Sequence, residues 1–137
     1  MKFKYNNGGS KFKNRNDCVI RAISIATNQN YIKILNDFKL LMDKPPYKGV
    51  PKKITKKYLK NIGWKWQSTM SIGSGCKVHL KENELPGGII ICKLSKHITT
   101  IIDGVINDTY DPSRDGKGMA IFSINAWSYL NGARESV

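Results

Sequence analysis

The sequence predicts an α+β protein in which N-terminal helices pack on an antiparallel β-sheet. Apolar residues recur at helical spacing up to about residue 61, whereas from Trp64 onward they alternate or run continuously, as they do in strands. The pair Asp103-Gly104 stands between two apolar runs and is a strong signal for a β-hairpin. Because the helical patterns come first and the strand patterns follow, α+β layering is favoured over alternating α/β units.

The first predicted helix begins at Cys18, with Asp17 as its N-cap. The residues that follow are apolar on most sides of the helix: Val19, Ile20, Ala22, Ile23, Ile25 and Ala26. Asn30 is the predicted cap of a second helix. The apolar stripe of that helix comprises Ile32, Ile34, Leu35, Phe38, Leu40, Leu41 and Met42. Both helices are therefore expected to lie against a core.

Pro51 stands in the first turn of a third predicted helix, which runs to about Asn61 and is stopped by Gly63. Its five lysines surround most of the helix, so we expect a basic helix that lies on the surface of the body. Residues 1–13 are polar, basic and glycine-bearing, and they are predicted to form either a loose arm or an edge strand.

Strand patterns occupy the second half of the chain. The predicted strands are residues 64–70, 89–94, 98–102, 105–110 and 119–124. The run at 89–94 is continuously apolar, which favours a central strand. The residues after Ala126 are expected to form an exposed tail with a short helical turn.

The chain of 137 residues is expected to form one domain, residues 1–137. No apolar run approaches the length of a membrane span, and the amino terminus lacks the apolar segment of a signal peptide. We therefore expect a cytoplasmic protein with no membrane partner. Three cysteines at irregular spacing argue against a disulfide framework.

Net charge is the unusual property of the composition. The sequence has 23 Lys and Arg against 10 Asp and Glu, which gives a formal charge of +13. Such a field attracts nucleic acid, nucleotides or acidic proteins. A lysine-rich solvated surface would give the same count, and arginine, which is the better sign of specific phosphate recognition, is scarce here.

The most informative residue is Cys18, because free N–H groups and the helix dipole at a helix start favour a thiolate. A two-residue turn at 103–104 would place His97 opposite Tyr110 and make Asp108 its diagonal neighbour on the same face of the hairpin. A carboxylate at that place would hold one imidazole nitrogen and leave the other for a thiol. The sequence thus predicts a nucleophile, a base and an orienting acid.

This pattern resembles the papain-like cysteine peptidase superfamily: a cysteine after an Asp at a helix start, then a His opening a strand, then an acid closing the next strand. Within it, the chain is most similar to the bacteriocin-processing peptidases and to small peptidase-like proteins of tailed bacteriophages. The similarity to the phage proteins runs from Asn16 to Arg114 and includes Lys48-Gly-Val-Pro51 and Gly63-Trp-Lys-Trp66.

The resemblance implies a papain-like fold and a small cysteine hydrolase that acts on a protein or peptide, in the host cytoplasm if it is phage-encoded. It makes Cys18 the nucleophile, His97 the general base and Asp108 the orienting acid. Two features depart from the family pattern. The Gln that usually serves as oxyanion donor is replaced by Phe12, so that Asn14 or Asn16 becomes the candidate donor together with the Cys18 N–H.

The second departure concerns the acid. Asp111 is the position that the bacteriocin-processing pattern suggests, whereas the hairpin register favours Asp108. Cys76 and His79 have a spacing found in zinc sites, but no second pair accompanies them, and we expect neither a metal nor a cofactor. Arg21 is expected to form a structural ion pair.

The missing Gln and the charge leave a second function open. This is a catalytically inactive papain-like module that binds a nucleotide, nucleic acid or acidic host factor, as in counter-defence. A structural virion or assembly protein is a third interpretation.

Overall fold

The computed structural model describes residues 2–10, 16–67, 78–79, 88–94, 97–110, 120–121 and 125–129. Its helices are α1 (Cys18–Thr27), α2 (Tyr31–Leu41) and α3 (Lys52–Asn61), with a short 3-10 helix at Pro46–Lys48 between α2 and α3. Its strands are β1 (Lys2–Tyr5), β2 (Trp64–Gln67), β3 (Val78–His79), β4 (Ile89–Leu94), β5 (His97–Ile102), β6 (Val105–Asp108), β7 (Ala120–Ile121) and β8 (Asn125–Tyr129). The α+β class predicted from the sequence is confirmed.

Six of these strands form one mixed sheet in the order β1-β6-β5-β4-β8-β2. Four neighbouring pairs are antiparallel, but β1 runs parallel to β6, with Lys2 opposite Val105 and Tyr5 opposite Asp108. The prediction of a purely antiparallel sheet is therefore wrong at this edge. The reason is topological, since β1 comes from the far end of the chain and is not constrained by a hairpin. Strands β3 and β7 pair separately.

The hairpin of β5 and β6 has the predicted register, with Ile102 opposite Val105 and Thr100 opposite Asn107. The turn residues Asp103 and Gly104 have φ angles of 47° and 80°. Positive φ at both central positions defines the tight turn whose twist matches that of the two strands. The turn chemistry thus fixes which side chains of β5 and β6 are neighbours.

Helix α1 lies against the centre of the sheet. Ile20, Ile23 and Ala26 are completely buried in a core that also contains Ile91 of β4 and Ile98 of β5. The Thr100 hydroxyl of β5 donates a 2.7 Å hydrogen bond to the Ala22 carbonyl of α1. This bond joins helix and sheet directly, so the start of α1 is fixed relative to β5.

Helices α2 and α3 pack beside α1, and the Phe38 and Tyr58 rings meet with their centroids 4.5 Å apart. The apolar stripe of α2 is narrower than predicted. Ile34, Leu35 and Phe38 are buried, whereas Ile32, Leu40 and Leu41 are exposed, Leu40 by 88%. Helical spacing alone does not show how far around a helix its neighbours reach. Helix α3 buries one face and carries its lysines on the surface, as predicted.

The N-terminal arm forms an edge strand over residues 2–5 and then continues across α1. The Asn6 N–H donates to the Asp108 carbonyl at 2.8 Å, and the Asn6 amide donates to the Asn107 side chain at 3.2 Å. Gly8 passes so close to α1 that a Cβ would lie 2.9 Å from the Arg21 carbonyl oxygen. Residues 2–10 are thus bound to the body by specific contacts, whereas residues 11–13 of the predicted arm lie outside the described residues.

The end of the chain differs most from the prediction. Instead of an exposed tail after Ala126, residues Asn125–Tyr129 form β8, which lies between β4 and β2. The segment Asn-Ala-Trp-Ser-Tyr alternates over only five residues, and its pairing partners are distant in sequence. The sequence pattern was therefore too short to predict a strand. Of the strand predicted at 119–124, the structure describes only β7, and of the strand predicted at 64–70 it describes β2, Trp64–Gln67.

Asp17 occupies the cap position of α1, but its side chain makes no capping hydrogen bond, so this part of the prediction is wrong. The carboxylate is instead completely buried and accepts hydrogen bonds from Ser10 at 2.8 Å and from Tyr31 at 2.7 Å. It also forms the ion pair with Arg21 that the sequence suggested. The carboxylate thus connects the arm, α1 and α2.

We expect Asp17→Asn to lower the free energy of unfolding by about 3 kcal/mol, because it leaves the Arg21 charge in a largely buried place without its partner. Asp37 gives a matched control. It also pairs with a cation four residues away, Lys33, and accepts a 2.7 Å hydrogen bond from a tyrosine, Tyr58, but it is 34% exposed. Asp37→Asn should therefore cost about 1 kcal/mol. Urea denaturation of both variants measures the difference, and equal costs would contradict the buried role of Asp17.

Candidate functional site

Cys18 is the first residue of α1, and its side chain is half-buried at the point where the helix meets β5. The His97 side chain and the backbone N–H of Ile98 lie close enough to the thiol to lower its pKa. The helix start adds its own free N–H groups and positive dipole end. Cys18 is thus surrounded by groups that stabilise a negative sulfur.

His97 opens β5, and Asp108 closes β6, on the neighbouring strand. His97 Nε2 lies 2.7 Å from Asp108 Oδ2, and both side chains are largely buried, with 10% and 4% exposed. The other carboxylate oxygen, Oδ1, accepts the backbone N–H of Thr109 at 2.7 Å. Because Nε2 is held by the carboxylate, Nδ1 is the ring nitrogen that is left for the Cys18 sulfur.

The structure therefore brings the three predicted side chains, Cys18, His97 and Asp108, together at one place. Tyr110 lies beside the imidazole, as the hairpin register predicted, with ring centroids 4.9 Å apart and an angle of 37° between the planes. It covers the His97 ring while its own ring remains half-exposed. The alternative acid, Asp111, lies outside the described residues.

The three groups shift one another's ionisation. Burial raises the pKa of the Cys18 thiol, but the hydrogen bond and positive charge of His97 outweigh it and hold that pKa below its usual value. Burial acts to lower the pKa of His97, yet the hydrogen bonds to Asp108 and Cys18 raise it to about 9. Burial would raise the pKa of Asp108 as well, and the hydrogen bond to His97 brings it below the ordinary value. The three groups therefore favour the thiolate form of Cys18 and the imidazolium form of His97 more than isolated side chains would.

A cleft of about 190 Å³ opens beside the sulfur, with Cys18, His97 and Lys93 among the residues that line it. The opposite part of its lining comes from Gly49 and Val50, which precede α3, and from Lys52 and Thr55 in the first turns of α3. Cys18 thus lies at a concave surface that a small molecule can reach.

Asn16, one of the two predicted oxyanion donors, also lines this cleft. A Cβ on Gly49 would lie 3.2 Å from the side-chain nitrogen of Asn16. The absence of a side chain at Gly49 therefore leaves room for the Asn16 amide. Gly49 also has φ of 120°, a backbone conformation that other residues rarely adopt. Asn16 and Cys18 thus both line the cleft. Asn14 lies outside the described residues.

Sequence reasoning did not identify Lys52, Lys93 or Gly49 as cleft residues. Lys93 could have been singled out from the sequence, because it is the only charged residue in the otherwise apolar strand Ile89–Leu94. Gly49 stood in a motif that the resemblance had singled out, but its role depends on a packing contact that spacing does not show. Lys52 was one of five similar lysines, and only the placement of α3 distinguishes it.

Within the described ranges, no three His, Cys, Asp or Glu side chains come together as a metal site would require. Cys76 lies outside those ranges, so the Cys76–His79 pair stays untested. Among the same residues, no helix has the length and apolar character needed to cross a membrane.

Comparisons of the chain with protein-family models, with curated proteins and with solved structures find no match. The contacts and charges of the site itself must therefore carry any functional assignment.

We expect Cys18 to be alkylated by iodoacetamide at about pH 6, where an ordinary thiol is less than about 1% ionised. His97→Ala removes the main group that lowers the pKa of Cys18, so it should slow labelling at that pH about tenfold or more. Rates are measured across pH, with peptide mass spectrometry to assign the labelled residue. Cys92 is the internal control, because complete burial raises its pKa to about 12 and it should stay unlabelled.

A labelling midpoint that is the same in the wild-type protein and in His97→Ala would contradict the thiolate–imidazolium pair.

Proposed function

We propose that this protein is a papain-like cysteine hydrolase of peptidase or amidase type that works through Cys18, His97 and Asp108. One observation carries the proposal: a helix-start thiol and an imidazole that is held at 2.7 Å by a buried carboxylate line the same open cleft, and the imidazole lowers the pKa of the thiol. A cysteine alone is more often a small core residue than a nucleophile. The two partners and the depressed pKa favour the nucleophile.

In the proposed reaction, the Cys18 thiolate attacks the carbonyl carbon of an amide and forms a tetrahedral oxyanion. The C–N bond then breaks, and the leaving amine takes the proton from the His97 imidazolium, which leaves a thioester on Cys18. Neutral His97 next removes a proton from water, and the resulting hydroxide attacks the thioester. The products are a carboxylic acid and the restored thiolate–imidazolium pair.

Asp108 does not exchange protons in this scheme. It accepts from His97 Nε2 at 2.7 Å, which fixes the tautomer and stabilises the imidazolium. The Cys18 N–H and the Asn16 amide are the donors that we assign to the oxyanion. A thiol nucleophile works only while it is reduced, which favours the cytoplasm as its compartment. A protein or peptide is the substrate that we assign to the reaction.

Surface charge supports a second candidate function, a module that binds nucleic acid. The exposed face of α3 carries lysines, and the Lys56 Nζ lies 4.2 Å from the Trp66 ring centroid, with the Lys52 Nζ at 5.4 Å. Lysines next to an aromatic ring can hold a phosphate backbone and stack a base. The formal charge of +13 would provide long-range attraction.

We expect the protein to react with p-nitrophenyl acetate in a burst of nitrophenolate equal to one acyl group per Cys18, followed by steady turnover. Cys18→Ala should remove both phases, and Asp108→Asn should slow turnover about a hundredfold or more, because it favours the wrong imidazole tautomer. With an amide substrate, whose leaving amine needs a proton, the rate should fall as the pH rises through about 9, where His97 loses its proton and can no longer act as an acid. Tyr58→Phe, which changes a tyrosine away from the cleft, is the control.

A burst without turnover would show a reactive thiol in a protein that does not hydrolyse its acyl group. No burst at all, with Cys18 still accessible to iodoacetamide, would overturn the proposed mechanism.

If the nucleic-acid function is correct, a fluorescent single-stranded oligonucleotide should bind with an affinity that falls steeply as salt is raised. Binding should survive Cys18→Ala, whereas Lys56→Gln combined with Trp66→Ala should weaken it, since one removes a phosphate contact and the other a stacking surface. Fluorescence anisotropy at several salt concentrations measures both effects. Binding that is absent at low salt would eliminate this candidate.

A further inference from the structure

We propose that the cleft beside Cys18 recognises a negatively charged group on the substrate, a carboxylate next to the bond that is cut, through Lys52 and Lys93. The proposal rests on the hydrolase function proposed above and adds a substrate class to it. Both lysines line the cleft together with Cys18 and His97. They come from different elements, Lys52 from the first turn of α3 and Lys93 from the central strand β4.

Lys93 occupies a position at which a charged side chain is unusual. The rest of β4 is apolar, and Ile90, Ile91 and Cys92 are completely buried. Lys93 itself is half-buried, and its Nζ donates to the Leu94 carbonyl at 3.0 Å. Holding a cation partly out of water costs free energy unless something favours its charge. A substrate anion in the cleft would supply that interaction.

Neither lysine has a carboxylate partner within the part of the chain that the structure describes. The ion pairs found there join Asp17 to Arg21, Asp37 to Lys33 and Asp108 to His97. The cation–π contact of Lys52 with Trp66 leaves its charge uncompensated. Both ammonium groups therefore keep the capacity to bind an anion.

The charges at the cleft also leave room for one anion. With Cys18 as thiolate, His97 as imidazolium and Asp108 as carboxylate, the three groups carry one net negative charge. The two lysines carry two positive charges, so the cleft retains one, and among the described residues that line it there is no Asp or Glu. The start of α3 adds the positive end of a helix dipole beside Lys52. One substrate carboxylate would balance this excess.

Stabilising the thiolate does not explain the lysines. The groups that lower the pKa of Cys18 are His97, the Ile98 N–H and Arg21, and neither cleft lysine is among them. Lys52 and Lys93 are therefore available to a bound molecule. In this arrangement they are specificity residues, and they take no part in the bond-breaking steps.

A matched pair of reagents tests this without knowledge of the natural substrate. Iodoacetate and iodoacetamide transfer nearly the same group to the Cys18 sulfur with loss of iodide, but only iodoacetate carries a carboxylate. We expect the ratio of the iodoacetate rate to the iodoacetamide rate to be higher for Cys18 than for N-acetylcysteine. Lys52→Gln and Lys93→Gln should each lower that ratio about threefold, as expected for one charge at roughly 6 Å in a watery cleft.

Lys57→Gln is the control, because it removes the same charge from an exposed position of α3 that does not line the cleft. Its ratio should equal that of the wild-type protein. Lys93→Arg keeps the charge on β4 and should retain most of the ratio, which separates charge from a folding defect in Lys93→Gln.

Ratios that are the same in Lys52→Gln, Lys93→Gln and Lys57→Gln would overturn the carboxylate subsite while leaving the hydrolase function intact, provided that iodoacetamide still labels Cys18 rapidly. Slow labelling of wild-type Cys18 by iodoacetamide would instead count against the hydrolase function. The two failures are thus distinguishable in one experiment.

Discussion

The hydrogen bond between His97 Nε2 and Asp108 Oδ2 determines what the rest of the site can do. It selects the ring nitrogen that faces Cys18, and it keeps the imidazole charged in a place where burial would otherwise neutralise it. Its existence depends on the hairpin register. A shift of one residue in the pairing of β5 and β6 would turn Asp108 to the other face of the sheet. The turn at Asp103-Gly104 prevents that shift, so two residues far from the sulfur determine the geometry around it.

Different contacts fix the strand that carries Asp108 and the strand that carries His97. On one side, β1 runs beside β6, and the Asn6 N–H binds the Asp108 carbonyl. On the other side, the Thr100 hydroxyl ties β5 to α1, the helix that carries Cys18. The buried Asp17 then joins α1 to the arm and to α2. Cys18 and Asp108 are thus fixed by different contacts on either side of His97.

Local signals predicted much of this arrangement. The helical run after Asp17, the positive-φ turn at 103–104 and the continuous run at 89–94 are properties of neighbouring residues, and the structure has all three elements there. The hairpin register predicted that Asp108 neighbours His97, whereas the position of Cys18 beside them was an expectation that the family resemblance supported. The parallel pairing of β1, the strand β8 and the inward side chain of Asp17 depend on partners distant in sequence, which periodicity does not reveal. The cationic lining of the cleft was not predicted for the same reason, because Lys52 and Lys93 are distant in sequence and line one cleft only in the folded chain.

The position of β1 has a consequence for how the protein is made. Asn6 and Asn107, which are joined by a hydrogen bond, are 101 positions apart. During synthesis, α1 leaves the ribosome long before β5 and β6 do, so its sulfur is exposed at first without an imidazole partner. The Cys18 thiol of the nascent chain consequently lacks the imidazole that lowers its pKa until β5 and β6 have been translated and have paired. Such long-range closure also slows folding relative to a bundle of local contacts.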